Sequence, residues 1–144
     1  MKKVIIALLG IIVVGIGVAV FLDVMDLGPM VRTAHLPRID YTQTFEQEEE
    51  AYFVYFWQES CPACTEFEPA ILEAFNDYEV PIYVVDMSDG ANSSAWGEGQ
   101  LDGVSHYSDI NVEGTPMLML VRDGEVARHS LGVLGGEALL NELK

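Results

Sequence analysis

The sequence predicts an α/β fold, a mixed central sheet flanked by helices, with one N-terminal transmembrane helix ahead of it. Three observations carry that expectation. Val4 to Leu22 is an apolar run without a charge or a proline. Beyond it, short apolar runs of strand character at residues 51–57, 81–86 and 117–121 alternate with a segment of helical period. Asp123-Gly124 follows the last of these runs and suits a tight antiparallel turn.

The apolar run comes first in the chain. As a helix it is about 28 Å long at 1.5 Å per residue, close to the ~30 Å hydrocarbon thickness of a bilayer. Ile, Val and Leu occupy every face, with no polar stripe to turn toward water. The small-x-small pattern Gly17-Val18-Ala19 lies inside the run, whereas a cleavable signal peptide carries it afterwards. No cysteine ends the run for lipid attachment. Residues 1–23 are therefore expected to be an uncleaved signal-anchor. Lys2-Lys3 would stay in the cytoplasm and everything after Leu22 would lie outside. Residues 24–38, with Gly28, Pro29 and Pro37 and no clear period, read as a tether.

From Ile39 the character changes. Thr44, followed by acids, suggests an N-cap and a short helix to Glu50. Residues 51–57 are aromatic and β-branched, as in a strand buried on both faces. Phe67, Ala70, Ile71, Ala74, Phe75 and Tyr78 form a helical stripe, which Pro69 is expected to kink. Pro81–Asp86 is the next strand. Ser88 to Gly103, holding Gly90, Gly97, Gly99 and Trp96, suggests little regular structure, and a short helix is expected around Val104–Asp109. Met117–Val121 and Glu125–Leu131 form a hairpin. Gly135-Gly136 is expected to introduce a last helix with Ala138, Leu139, Leu140 and Leu143 on one side.

Charge narrows the range of partners. The chain carries 23 acidic and 7 basic residues, a formal net charge of −16, and every acid follows Leu22. Nucleic acid is excluded as a partner, because its phosphates need basic groups. Anionic lipid headgroups would repel the domain. The simplest reading of so many acids is a strongly solvated surface.

Cys61-Pro62-Ala63-Cys64 contains the only 2 cysteines, placed directly after the first strand. A dithiol at the start of a helix meets unpaired N–H groups and the positive end of the macrodipole, which favour a thiolate. Such a thiolate attacks a disulfide, and the second sulfur resolves the mixed disulfide that forms. A purely structural bridge over so short a loop would add little chain-entropy stabilisation. Structural zinc wants four N or S ligands, and His35, His106 and His129 show no paired spacing. No resident metal or cofactor is expected.

Further residues extend the pattern. Phe56-Trp57 precedes the dithiol, Pro69 lies five residues after Cys64, Gly114-Thr115-Pro116 opens the hairpin, and Asp123-Gly124-Glu125-Val126 is followed by Gly132. With these signals in this order, residues 39–144 resemble the thioredoxin family. The resemblance implies a thioredoxin-like fold and thiol–disulfide oxidoreductase activity. It makes Cys61 the exposed nucleophile, Cys64 the buried resolving thiol, and Cys61–Cys64 the redox disulfide. It places Pro116 in a cis peptide beside the dithiol and Thr115 against the sulfurs. Trp57, Glu59, Pro62 and Ala63 complete the set expected to bind substrate or tune the pair.

Two departures bear on mechanism. Reductants of the family carry a buried acid two residues before the Trp, where this chain has Tyr55. Glu59 is then the nearest substitute proton acceptor for Cys64. Ser60 and Pro62-Ala63 also differ from the family's usual Trp and Gly-Pro. The chain most resembles membrane-anchored, extracytoplasmic thioredoxin-like proteins of bacteria, including those associated with bacteriocin export. Its expected partners are thiols or disulfides of exported proteins and a membrane redox protein that recharges the pair, and it is expected to be a monomer. Two other functions fit the same residues: an assembly factor that carries copper or holds a thiol substrate, and a non-catalytic binding module.

Overall fold

A computed structural model of the protein describes residues 35–144. The segment expected to span a membrane, 1–23, and the tether as far as residue 34 lie outside the described residues. Within residues 35–144 no helix is long and apolar enough to cross a membrane.

The run at 51–57 forms β1 (Ala51–Trp57), and its five central residues are buried. Side chains alternate across a strand. Phe53 and Tyr55 accordingly enter one core cluster, and Tyr52, Val54 and Phe56 enter another. Three further strands, β2 (Ile82–Asp86), β3 (Met117–Arg122) and β4 (Glu125–Leu131), complete a sheet of order β2-β1-β3-β4. The β1–β2 pair is parallel and the other two pairs are antiparallel, so the sheet is mixed as expected. The hairpin turns at Asp123-Gly124, both with positive φ.

Two helices cover the Phe53–Tyr55 face. The first, α1 (Pro62–Asp77), continues through Pro69, which is exposed, and buries Phe67, Ile71 and Ala74 of the expected stripe. Tyr78 departs from that stripe: it caps the helix C-terminus and is half exposed. The second, α2 (Val133–Leu140), begins two residues before Gly135-Gly136, which therefore lie inside it. Gly132 marks the start instead, with a φ of 82° that favours glycine. Leu139 and Leu140 are buried, while Ala138 is exposed.

Irregular chain covers the other face. Gly90–Ala95 is a 3-10 turn started by Asp89, whose carboxylate accepts from the Ala91 N–H at 2.9 Å. Buried Asn92 donates to the Asp86 carbonyl at 2.9 Å and accepts from the Tyr41 N–H at 2.9 Å. Residues 88–103 are thus more ordered than their composition suggests. Trp96 pairs with Val112, and a Cβ on Gly97 or Gly99 would come within 2.6 or 2.9 Å of the Asn111 side chain. The helix expected at 104–109 is only a 3-10 turn at Tyr107–Asp109.

The helix expected from Thr44 to Glu50 does not form. A 3-10 turn occupies Tyr41–Gln43, and 46–50 are irregular. The Thr44 hydroxyl donates back to the Tyr41 carbonyl at 2.7 Å, and the Thr44 carbonyl accepts from the Tyr52 hydroxyl at 2.7 Å. Thr44 therefore closes a turn and does not cap a helix. Upstream, Arg38 bridges Val84 in parallel, and Ile39 donates to the Val84 carbonyl along the outer edge of β2. Leu36 is buried in the α1-side core, so residues 36–38 of the expected tether pack onto the domain.

Candidate active site

The end of β1 and the start of α1 build the site. Ser60 takes a left-handed conformation, φ 61°, which turns the chain out of the strand. Cys61 then sits at the N-cap of α1 with extended backbone, and Pro62 supplies a helical φ at the first position. The Cys64 N–H donates to Cys61 Sγ at 3.1 Å. A sulfur occupies the place usually held by an N-cap oxygen, where free N–H groups stabilise negative charge. Cys61 and Cys64 are joined in a disulfide with Cα atoms 5.2 Å apart.

Exposure separates the two sulfurs. Cys61 is half-buried, whereas Cys64 is 1% exposed. Of the pair, Cys61 is the one a partner's disulfide can reach. Pro62 is exposed and Ala63 half-buried beside it.

Thr115 and Pro116 are far away in sequence, yet they meet the sulfurs. The Thr115–Pro116 bond is cis. The Thr115 hydroxyl and carbonyl each lie 3.5 Å from Cys61 Sγ. The Pro116 carbonyl accepts from the Gly132 N–H at 2.8 Å. This ties the exit of the hairpin to the cis-proline segment, where Leu131, 51% exposed, pairs with Met117 and a Cβ on Gly114 would lie 3.5 Å from its side chain. Leu131 was not legible as a neighbour of this segment in the sequence, where an exposed Leu looks like any other.

Trp57 is half-buried at the end of β1 and packs against the α1-side core. The Arg38 guanidinium lies 5.5 Å from the Trp57 ring centroid and is bonded to Asp86 at 3.0 Å. Glu59, expected as the acid serving Cys64, is exposed, and its backbone N–H donates to the Ser88 hydroxyl at 2.7 Å. The acid that is buried on this helix is Glu68, 5% exposed and one turn beyond Cys64. The signal for it was present: position 68 falls between Phe67 and Ile71 on the face that α1 buries.

Tyr55 lies beneath the helix. Its ring meets Phe67 edge-on at 5.6 Å, and its hydroxyl donates to the Cys64 carbonyl at 3.5 Å. Burial pushes the Tyr55 phenol far up, and the nearby Glu68 charge pushes it the same way. Among the described residues no group of three or more His, Cys, Asp or Glu side chains is placed to hold a metal ion.

The arrangement supports one chemistry directly: exchange of a disulfide between Cys61–Cys64 and an outside sulfur. The sequence profile of the family described as Thioredoxin matches residues 32–144. No curated protein sequence matches the chain significantly. Among solved structures the chain is similar to mitochondrial thioredoxin 3 from Saccharomyces cerevisiae in its oxidized form, at 13% identity and a TM-score of 0.58, over 78% of this chain and 96% of that one. It is also similar to thioredoxin f2 from Chlamydomonas reinhardtii, at 16% identity and a TM-score of 0.57, over 74% and 94%. A mutant thioredoxin from Halobacterium salinarum gives 19% identity and a TM-score of 0.53, over 74% and 86%. At these identities the likeness is one of fold.

Proposed function

Because this chain belongs to the thioredoxin family, we propose that it is a membrane-tethered thiol–disulfide oxidoreductase acting on exported proteins. Family membership and the adjacent Cys61–Cys64 pair support the oxidoreductase activity itself. One observation carries the division of labour: Cys61 is reachable at a helix N-cap while Cys64 is shielded behind it. Cys61, as a thiolate, attacks a substrate disulfide and forms a mixed disulfide. Cys64 attacks Cys61 in turn, so the substrate leaves reduced and the protein is left oxidised. The reverse sequence delivers the disulfide to a dithiol.

Tethering and location rest on the sequence. Val4 to Leu22 has the length and composition of a membrane span, and Lys2-Lys3 favours the rest of the chain outside. With only 2 cysteines in the chain, recharging falls to another dithiol protein, and a membrane redox partner suits an anchored enzyme.

The test is a trap. In cells carrying full-length Cys64→Ala, Cys61 should accumulate as mixed disulfides with exported proteins, recovered from the membrane fraction and released by reductant. In parallel, the purified wild type should speed insulin reduction by dithiothreitol, and Cys61→Ser should not. Absence of adducts together with absence of insulin reduction would refute the enzymatic reading. A soluble wild-type protein would refute the tether.

A further inference from the structure

Exchange at this site requires Cys64 to lose a proton that it cannot hand to water. The thiol is 1% exposed on the core side of α1. It must become a thiolate to attack Cys61, so a neighbouring group has to take the proton.

Among the described residues, the surroundings leave few acceptors. The α1-side core cluster is otherwise apolar: Phe53, Phe67, Ile71, Leu118 and Leu139 line it. Tyr55 from β1 approaches Cys64, but its hydroxyl is held protonated well beyond neutral pH and acts as a donor toward the Cys64 carbonyl. From α2, the other helix on this face, Glu137 is exposed and faces solvent. Past its end, Glu142 pairs with Arg128, and Lys144 pairs with Glu73 of α1. β3 contributes no ionisable side chain to this cluster. On α1 itself Glu66 is exposed. Glu68 remains, 5% exposed, four residues after Cys64. Residues at i and i+4 of a helix are neighbours on one face, and both of these face inward.

We propose that Glu68 is the group that takes the proton from Cys64 when the mixed disulfide is resolved. This rests on the exchange reading above and adds a residue to it. In the step, the Cys64 S–H proton passes to the Glu68 carboxylate, directly or through one water, as Cys64 Sγ attacks Cys61 Sγ. The Cys61–Cys64 bond forms and the bond between Cys61 and the substrate sulfur breaks. The substrate sulfur leaves with the electron pair and is protonated from solvent, and Glu68 later returns its proton to solvent. Two thiols of the protein have been oxidised and one substrate disulfide reduced, so electrons and protons balance.

The two chemical steps separate in time, which makes the test specific. Reduced full-length protein in detergent is mixed with a fluorescent peptide disulfide between pH 5 and 9, quenched with acid, and resolved into free, mixed-disulfide and oxidised species. For Glu68→Gln we expect formation of the mixed disulfide within about twofold of wild type and its decay slowed by about tenfold to a hundredfold, the scale of a general base. Glu68→Asp should recover part of the rate that Glu68→Gln loses. Thermal unfolding of the oxidised form checks that the variant is folded. The assignment is overturned if Glu68→Gln decays with the wild-type rate and pH profile. It is overturned equally if Gln and Asp variants slow attack and decay together, which would mark a structural residue. If wild-type Cys61 forms no mixed disulfide, the exchange reading falls and takes this assignment with it.

Discussion

Cys61 Sγ is surrounded by donors of different origin: the Cys64 N–H at 3.1 Å from its own helix, and the Thr115 hydroxyl at 3.5 Å from the strand entry. Hydrogen bonds to a charged form favour it. Thr115→Val keeps the shape and removes one donor, so the Cys61 thiolate should become harder to form. Alkylation of the reduced protein by iodoacetamide at pH 7 is expected to slow by about two- to tenfold, as the thiolate fraction falls. Equal rates in the two proteins would show that the hydroxyl does not reach the thiolate. The potential of the pair is a second residue-scale expectation. Acids flank the dithiol and no basic residue separates the cysteines, so equilibration with glutathione should give a value below about −150 mV, short of the strongest oxidants. At this scale the sequence was informative wherever chemistry follows from spacing. Cys61, Cys64 and Thr115 meet in the structure although Thr115 is far off in sequence, and Pro116 follows Thr115 through a cis bond. Glu68 went unread as the buried acid of α1, while Glu59 is exposed, because spacing along the chain does not say which side of a helix faces the core until the stripe has been followed through the acids as well as the apolar residues.

Elements show a similar division. The strands and the long helix were readable because each buries a face, and burial imposes a period of two or of about 3.6. Segments that bury single residues escaped. The stretch 88–103 is held by Asn92, by the Trp96–Val112 bridge and by glycines against Asn111, none of which produces a period. The start of α2 was misplaced for another reason: Gly135-Gly136 resembles a helix-breaking pair but serves packing. A Cβ on Gly136 would enter the Phe67 ring, so glycine lets α2 close on α1. Gly136→Ala should therefore destabilise the domain by about 1–3 kcal/mol, the usual cost of overpacking, despite alanine's higher helix propensity. A urea midpoint unchanged or raised in the variant would show that the helices part without penalty.

Taken whole, the molecule carries far more negative than positive charge, −16 in formal terms. Self-repulsion of this kind destabilises the compact state and is weakened by salt. The melting temperature should rise as sodium chloride goes from about 10 mM to about 1 M, over which the screening length falls from ~30 to ~3 Å; a flat response would mean the acids are already neutralised locally. Alkali acts through different groups. Tyr52 and Tyr83 are both pushed up to about 12, chiefly by burial and, for Tyr83, by its bond to Glu49. Their neutral forms are favoured in the folded state, so this stability is intact below pH ~10, where unfolded tyrosine is still protonated, and drains away as pH climbs to ~12. Urea midpoints should hold to about pH 9 and then fall, less steeply in Tyr52→Phe.

The strap formed by residues 36–39 has a consequence for how the molecule is presented. It runs parallel to β2, whose far end, Asp86, lies level with Trp57 and hence with the sulfurs. Leu36 therefore lies toward the foot of the sheet, two residues before the Arg38–Val84 bridge and away from the end that carries Cys61. Along residues 36–39 the backbone therefore climbs toward the end of the sheet that carries the reactive sulfur, and the Arg38 guanidinium reaches Trp57 and Asp86 there.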